Sequence, residues 1–113
     1  MHELSIAMNI VDTLGEELAG ESGKVAAVRV EVGVLSGVVP DALLFAWEAA
    51  SNGSRLEGSR LEIQEKKAVV HCPYCGGDKE LPAIDRLRCP DCDAFTPDLV
   101  SGRELRIREV ELA

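Results

Sequence analysis

Apolar residues recur at helical spacing near the start of the chain. Leu4, Ala7, Met8, Val11, Leu14 and Leu18 fall on one side, and Asp12, Glu16 and Glu17 fall away from them. This predicts an amphipathic helix with that stripe turned inward. Gly20 and the Glu21-Ser22-Gly23 stretch are expected to end it. From Val28 the period changes to two. Val28, Val30, Val32 and Val34 share one side and Arg29, Glu31 and Gly33 the other, which predicts a strand with one buried face, broken at Ser36-Gly37. Pro40 then stands where a helix favours its first residue, with Asp41 beside the positive end of the helix dipole. The run Leu43, Leu44, Phe45, Ala46, Trp47, Ala49, Ala50 is apolar around most of the helix. It predicts a well-buried element with Leu44, Phe45 and Trp47 in the core, stopped at Asn52-Gly53.

Alternation returns between Arg60 and Lys66, with Leu61 and Ile63 inward and Glu62 and Gln64 outward. A last strand is expected from about Arg103 to Leu112. Leu105 and Ile107 share a face there, but Val110 and Leu112 fall on the other, so a bulge is expected near Arg108-Glu109. The order helix, strand, helix, strand, cysteine-bearing stretch, strand predicts an α+β fold: a three-stranded sheet covered on one face by two helices. The stretch 68–102 is then an inserted lobe, and 1–67 is completed by the strand in 103–113.

The chain has 113 residues, 46% of them hydrophobic, which suits a globular protein with a modest core. A formal net charge of −8 argues against nucleic acid, whose phosphates require clustered Lys and Arg. No apolar run approaches the roughly 20 residues of a membrane span. The opening Met1-His2-Glu3 lacks the basic leader of a signal peptide, so a cytoplasmic location with reduced cysteines is expected.

The four cysteines form Cys72-Pro-Tyr-Cys75 and Cys89-Pro-Asp-Cys92. Two residues between paired cysteines let both thiolates converge on one ion from a tight turn, and Pro73 and Pro90 pre-set φ there. Tetrahedral Zn²⁺ held by Cys72, Cys75, Cys89 and Cys92 is the expected outcome, in a zinc-ribbon-like lobe; the same ligands also bind iron. Four thiolates leave no open position for water, so such zinc is structural. Lys79, Arg86 and Arg88 stand against Asp78, Glu80, Asp85, Asp91, Asp93 and Asp98, a lobe charge of −3 that a nucleic-acid zinc ribbon would not carry. The turn after the first pair is expected to need positive φ at Gly76; Asp93 occupies the matching place and tolerates it better than most residues.

His2 and His71 are the two histidines. His71 adjoins Cys72 and is expected to be solvated or to sit beside the zinc ligands; a spare metal donor is the alternative. His2 places an imidazole beside the α-amine of Met1 and nearby amide nitrogens, a donor set suited to Ni²⁺ or Cu²⁺. Met1 is expected to be retained, because its removal generally requires a small second residue. The chelate rings all converge on the His2 amide nitrogen, which has only two cis places in a plane. A planar site must therefore borrow a further donor, or the geometry is not planar.

Taken together, these residues resemble the HypA/HybF family of nickel metallochaperones of hydrogenase maturation. The resemblance rests on Met1-His2-Glu3-Leu4-Ser5-Ile6-Ala7, on Gly33-Val34-Leu35-Ser36-Gly37-Val38-Val39-Pro40, on the paired cysteines, and on Ser101-Gly102-Arg103-Glu104-Leu105-Arg106-Ile107. It covers essentially the whole chain. It implies a nickel-binding α+β domain in 1–67 with an inserted zinc domain in 68–102. It also implies Ni²⁺ as transient cargo at Met1, His2 and Glu3, and structural Zn²⁺ at the four cysteines. The implied partners are the GTPase HypB, the large-subunit precursor of nickel–iron hydrogenase and, for some members, the urease machinery. Two departures stand out: some members carry a histidine between the cysteine pairs, where this chain has none, and many carry Gly where it has Asp93. The competing reading is a zinc-ribbon adaptor whose N-terminus binds nothing. An enzyme is not expected, because the sequence offers no nucleophile–base pair and no open metal site.

Overall fold

The structure is a computed structural model and describes residues 2–81, 87–96 and 98–113. Helix α1 (Glu3–Glu17) leads into β1 (Val25–Gly33), α2 (Pro40–Ser51) and β2 (Arg60–Lys66). Then follow β3 (Val69–Cys72), β4 (Gly77–Glu80), β5 (Leu99–Ser101) and β6 (Leu105–Leu112). The first sheet has the order β2-β1-β6, with β2 parallel and β6 antiparallel to β1. The second has the order β4-β3-β5 and is antiparallel. This is the α+β architecture expected, with one addition. The cysteine-bearing stretch builds its own sheet, whose strands of three and four residues are too short to announce themselves by alternation. No helix among the described residues is long and apolar enough to cross a membrane.

One cluster, under both helices, joins Ile6, Ala7, Ile10 and Leu14 of α1 to Val28, Val30 and Val32 of β1, Leu43 and Trp47 of α2, and Leu56 and Leu61. The buried stripe of α1 is rotated by roughly a quarter turn from the predicted one. Ile6 and Ile10 occupy its centre, whereas Leu4 and Met8 are 45% and 50% exposed. α2 also differs from expectation. Only Leu43, Trp47 and Ser51 are buried, one residue per turn, with Ala46 and Ala50 partly buried beside them, so the helix meets the core along a narrow stripe. Leu44 is exposed, and Phe45 is 89% exposed rather than part of the core. Val34 lies beyond the end of β1 and is exposed as well. α1 ends at Glu17, ahead of Gly20, with the Leu18 amide still bonded to the Leu14 carbonyl.

The bulge predicted in the last strand is present. The register passes from Arg29↔Glu109 to Val30↔Ile107, leaving Arg108 as the extra residue. Ile107 and Val110 therefore both reach the core. On the uncovered face of the sheet the bulge also gathers charge. Glu31, only 3% exposed, accepts hydrogen bonds from Arg106 and Arg108, and Lys66 lies 3.5 Å away. Hydrogen bonding from Arg106 outweighs the effect of burial and, with Arg108, holds this carboxyl down to about 2. A carboxyl whose folded pKa lies below its unfolded value near 4.5 adds stability above that value. The contribution is lost as pH falls from there toward 2. Glu31→Gln is therefore expected to lower the urea midpoint at neutral pH, and its difference from the parent should shrink toward zero near pH 2. Denaturation curves of both proteins at several pH values measure this; a constant offset would contradict it.

Arg55, which no sequence pattern singles out, ties the α1–β1 turn. Its guanidinium donates to the carbonyls of Leu18, Glu21 and Gly23, the open end of α1 and the loop after it.

Candidate metal centres

Each cysteine pair sits on a turn of the same design. The Gly76 amide donates to the Cys72 carbonyl and the Asp93 amide to the Cys89 carbonyl, both at 2.9 Å. Each turn closes on a residue in the left-handed region: φ is 72° at Gly76 and 61° at Asp93. Asp93 is the one non-glycine residue with positive φ among those described, as the substitution of Asp for the usual Gly requires. The second turn is carried on a small hairpin held by Cys89 amide to Ala94 carbonyl and Thr96 amide to Leu87 carbonyl. Lys79, just after the first turn, reaches Asp91 inside the second at 2.8 Å, an ion pair that bolts the two turns together.

This brings the four sulfurs of Cys72, Cys75, Cys89 and Cys92 within 4.8 Å of one another. Cys72 and Cys92 Sγ are 3.5 Å apart, and Cys75 and Cys89 Sγ are 3.8 Å apart. Four ligands at the usual Zn–S distance of about 2.3 Å sit about 3.8 Å from each other on a tetrahedron. The cluster therefore fits Zn²⁺, and the separations are far longer than the about 2.05 Å of a disulfide. Acidity points the same way. Burial pushes the Cys72 thiol up, but amide donors from Cys75 and Tyr74 and the neighbouring Cys92 bring it down to about 7. Hydrogen bonding with Cys92, Cys72 and Cys89 pushes Cys75 up to about 12. Four thiolates this close repel one another, and a dication is what lets all four ionise together.

His71 is not part of the cluster. Its Nδ1 lies 3.0 Å from Asp78 Oδ1 and its ring is half-exposed, in keeping with a solvated neighbour of the site.

At the start of the chain, Met1 lies outside the described residues. His2 is exposed and extended, with φ −77° and ψ 138°, and is the N-cap of α1; its side chain makes no cap hydrogen bond. Glu3 begins the helix. Its Oε2 accepts a hydrogen bond from the Val39 amide at 3.2 Å, which pulls its carboxyl below the usual carboxylate range. Val39 is itself the N-cap of α2, and Asp41 lies in the first turn of that helix. The two helix starts are thus pinned together by Glu3. Sequence reasoning missed this link because the partner is a backbone amide, which leaves no side-chain signature.

A family model described as "Hydrogenase/urease nickel incorporation, metallochaperone, hypA" matches residues 1–112. The chain is 45% identical over 113 residues to a protein of Roseiflexus sp. (strain RS-1) named hydrogenase maturation factor HypA, covering 98% of this chain and 91% of that one. It is 41% identical over 112 residues to the protein of that name from Geobacter sp. (strain M21), covering 99% of each. The fold is similar to the solution structure of the Ni metallochaperone HypA from Helicobacter pylori, with a TM-score of 0.69 at 23% identity, over 99% of this chain and 97% of that one.

Proposed function

The chain belongs to the HypA family of nickel metallochaperones of hydrogenase maturation, and from that premise we propose that it carries Ni²⁺ at its amino terminus and releases it to a hydrogenase precursor. The observation that carries this reading is the separation of two unlike donor sets. Four sulfurs form a closed group suited to permanent Zn²⁺. The imidazole of His2 stands exposed at the chain start and is no part of that group.

In this reading Cys72, Cys75, Cys89 and Cys92 hold zinc, which supplies cross-linking rather than chemistry. The cargo ion is taken by the Met1 amine, the His2 imidazole and backbone nitrogen near Glu3. His2 stands outside α1, and the Glu3 amide in the first turn has no intrahelical acceptor, so binding there does not require the helix to unwind. Glu3 keeps the start of α1 against the start of α2 through Val39, and so fixes where the cargo is displayed. No residue here turns over a substrate; the protein binds, displays and hands on. We assign as partners a HypB-type GTPase and the large-subunit precursor of nickel–iron hydrogenase, with urease accessory proteins as a second destination, all in the cytoplasm. The division into 1–67 with 103–113 and an inserted 68–102 belongs to the same proposal. It is supported by a second, separate cluster of Ala68, Val70 and Leu81 beneath the second sheet.

The test is a nickel titration of untagged protein. His2→Ala is expected to weaken Ni²⁺ binding on the order of 100-fold while leaving stoichiometric zinc in place. A residue added before Met1 should act in the same direction, because it turns the amine into an amide. A His2→Ala protein that binds nickel like the parent defeats the proposal. Because an imidazole must shed its proton to bind a metal, affinity should also fall between about pH 7.5 and about pH 6.

A further inference from the structure

α1 and α2 together contain no Lys or Arg. They carry Glu3, Asp12, Glu16, Glu17, Asp41 and Glu48 instead. The cations Arg29, Arg60, Lys66, Arg106 and Arg108 lie on the opposite, helix-free face of the first sheet. There they are paired with Glu31, Glu62, Glu109 and Glu111. Charge is thus sorted between the two faces, and among the described residues the helix face carries acid without an ion-pair partner beside exposed apolar side chains.

On that face a groove of about 910 Å³ runs beside α2 from Leu44 to Asn52. Trp47 and Leu61 form its apolar floor, where Trp47 Nε1 donates to Ser59 Oγ. Leu44 and the 89% exposed Phe45 stand at one end, and Glu48 and Glu57 line it, with no cation among the lining residues. Eight residues of α2 span about 12 Å, the length of two helical turns. An aromatic ring left this open beside an apolar floor is what a helix-in-groove contact uses as an anchor point.

We infer that this groove is a docking site for a partner protein that presents an amphipathic helix, with apolar residues on the inserted side and lysine or arginine at its margins. Charge selects this occupant. A second copy placing the same groove against itself would bring Glu48 and Glu57 toward their own kind. A second copy offering its sheet face would offer cations already engaged by glutamates. A partner chain that brings its own basic groups fits the groove better than either arrangement. The site is distinct from the nickel terminus and from the sulfur cluster, so it provides a way to hold a partner while cargo is exchanged elsewhere.

Trp47 is the single tryptophan of the chain, so its emission reports occupancy of the groove directly. The probe is a synthetic helix of about 14 residues with leucines along one stripe and lysines at the margins, titrated into the full-length zinc-loaded protein. The expected result is a saturable change in Trp47 emission, with affinity falling as salt is raised. Phe45→Ser should weaken binding by about tenfold or more, since it removes an apolar anchor without altering charge. Glu48→Lys should do likewise, whereas Glu16→Lys, the same charge change at the far end of α1, should alter it less than about threefold. All three positions are exposed, so the variants keep the fold. Saturating peptide with no change in emission overturns the proposal. So does Glu16→Lys weakening binding as much as Glu48→Lys, which would mean attraction to net charge alone. A concentration-dependent dimer that is abolished by Phe45→Ser overturns it too, by naming a second copy as the occupant. Nickel titration of the same variants should be unchanged, so this inference and the nickel assignment fail separately.

Discussion

Stripping zinc with a strong chelator is expected to unfold the segment around β3, β4 and β5 while α1, α2 and the first sheet stay folded. The reason lies in the size of the second cluster. Ala68, Val70 and Leu81 are its buried members, with Leu35, Leu87 and Leu99 packed partly against them. Six small or half-covered side chains and three strands of at most four residues do not offset the conformational entropy of ordering this stretch. A four-thiolate zinc site supplies roughly 10–16 kcal/mol of apparent binding free energy, which is ample. Cys72→Ser should act like the chelator. It removes one of four ligands from a buried position and leaves three sulfurs that crowd one another. Amide hydrogen exchange checks the outcome residue by residue. Protection should vanish in Val69–Cys72 and Gly77–Glu80 and persist in Val28–Val32 and Leu61–Ile63. Retained protection in the second sheet after zinc removal, or its loss in both sheets together, would mean that the first sheet and the sulfur lobe do not divide the stability in this way.

The second large effect is expected at Gly33. A Cβ at this position would overlap the carbonyl carbon and oxygen of Gly102 and lie 2.6 Å from the Arg103 nitrogen. These are backbone atoms, and the segments they belong to are held by short bonds: the Gly33 amide to the Glu104 carbonyl at 2.7 Å and the Leu35 amide to the Gly102 carbonyl at 2.6 Å. No side chain can swing aside to relieve the clash. Gly33→Ala is expected to cost about 3 kcal/mol or more, the range where overpacking and backbone displacement add. Gly37 serves as the control. It has φ of 83°, but nothing lies within 4 Å of where a Cβ would stand, so alanine there meets only the left-handed penalty of about 1–2 kcal/mol. Urea denaturation of the two variants should rank them in that order; equal midpoints would show that the end of β1 and the start of β6 separate without cost.

Much of this was legible in the sequence where periodicity is long and burial one-sided. The valines of β1, Leu61 and Ile63 of β2, Pro40 at the start of α2 and the phase slip near Arg108 all reflect a single sheet face pressed on one core. The cysteine spacing was equally plain, because ligand geometry leaves few options. What misled was apolar content without a partner. Leu44 and Phe45 read as core because hydropathy reports what a residue prefers, not which neighbour is available to cover it. Leu4 and Met8 displaced the α1 stripe in the same way, drawing attention from Ile6 and Ile10. Glu31 and Glu3 were opaque for another reason. Their partners are Arg106, Arg108 and the Val39 amide, which are remote along the chain, and only the folded register brings them together. Strands β3, β4 and β5 are set by the sulfur turns rather than by their own pattern, and so gave no local sign.

The strand order β2-β1-β6 has a consequence for synthesis. β1 is the middle strand, and the flank that Leu105–Leu112 will occupy stays bare until that distant segment has left the ribosome. Ile107 and Val110, which lie under the helices, arrive with that segment. Residues of α1 and β1 are therefore seated by a strand made long after them, and α1 acquires its fixed footing only once Leu105–Leu112 has emerged.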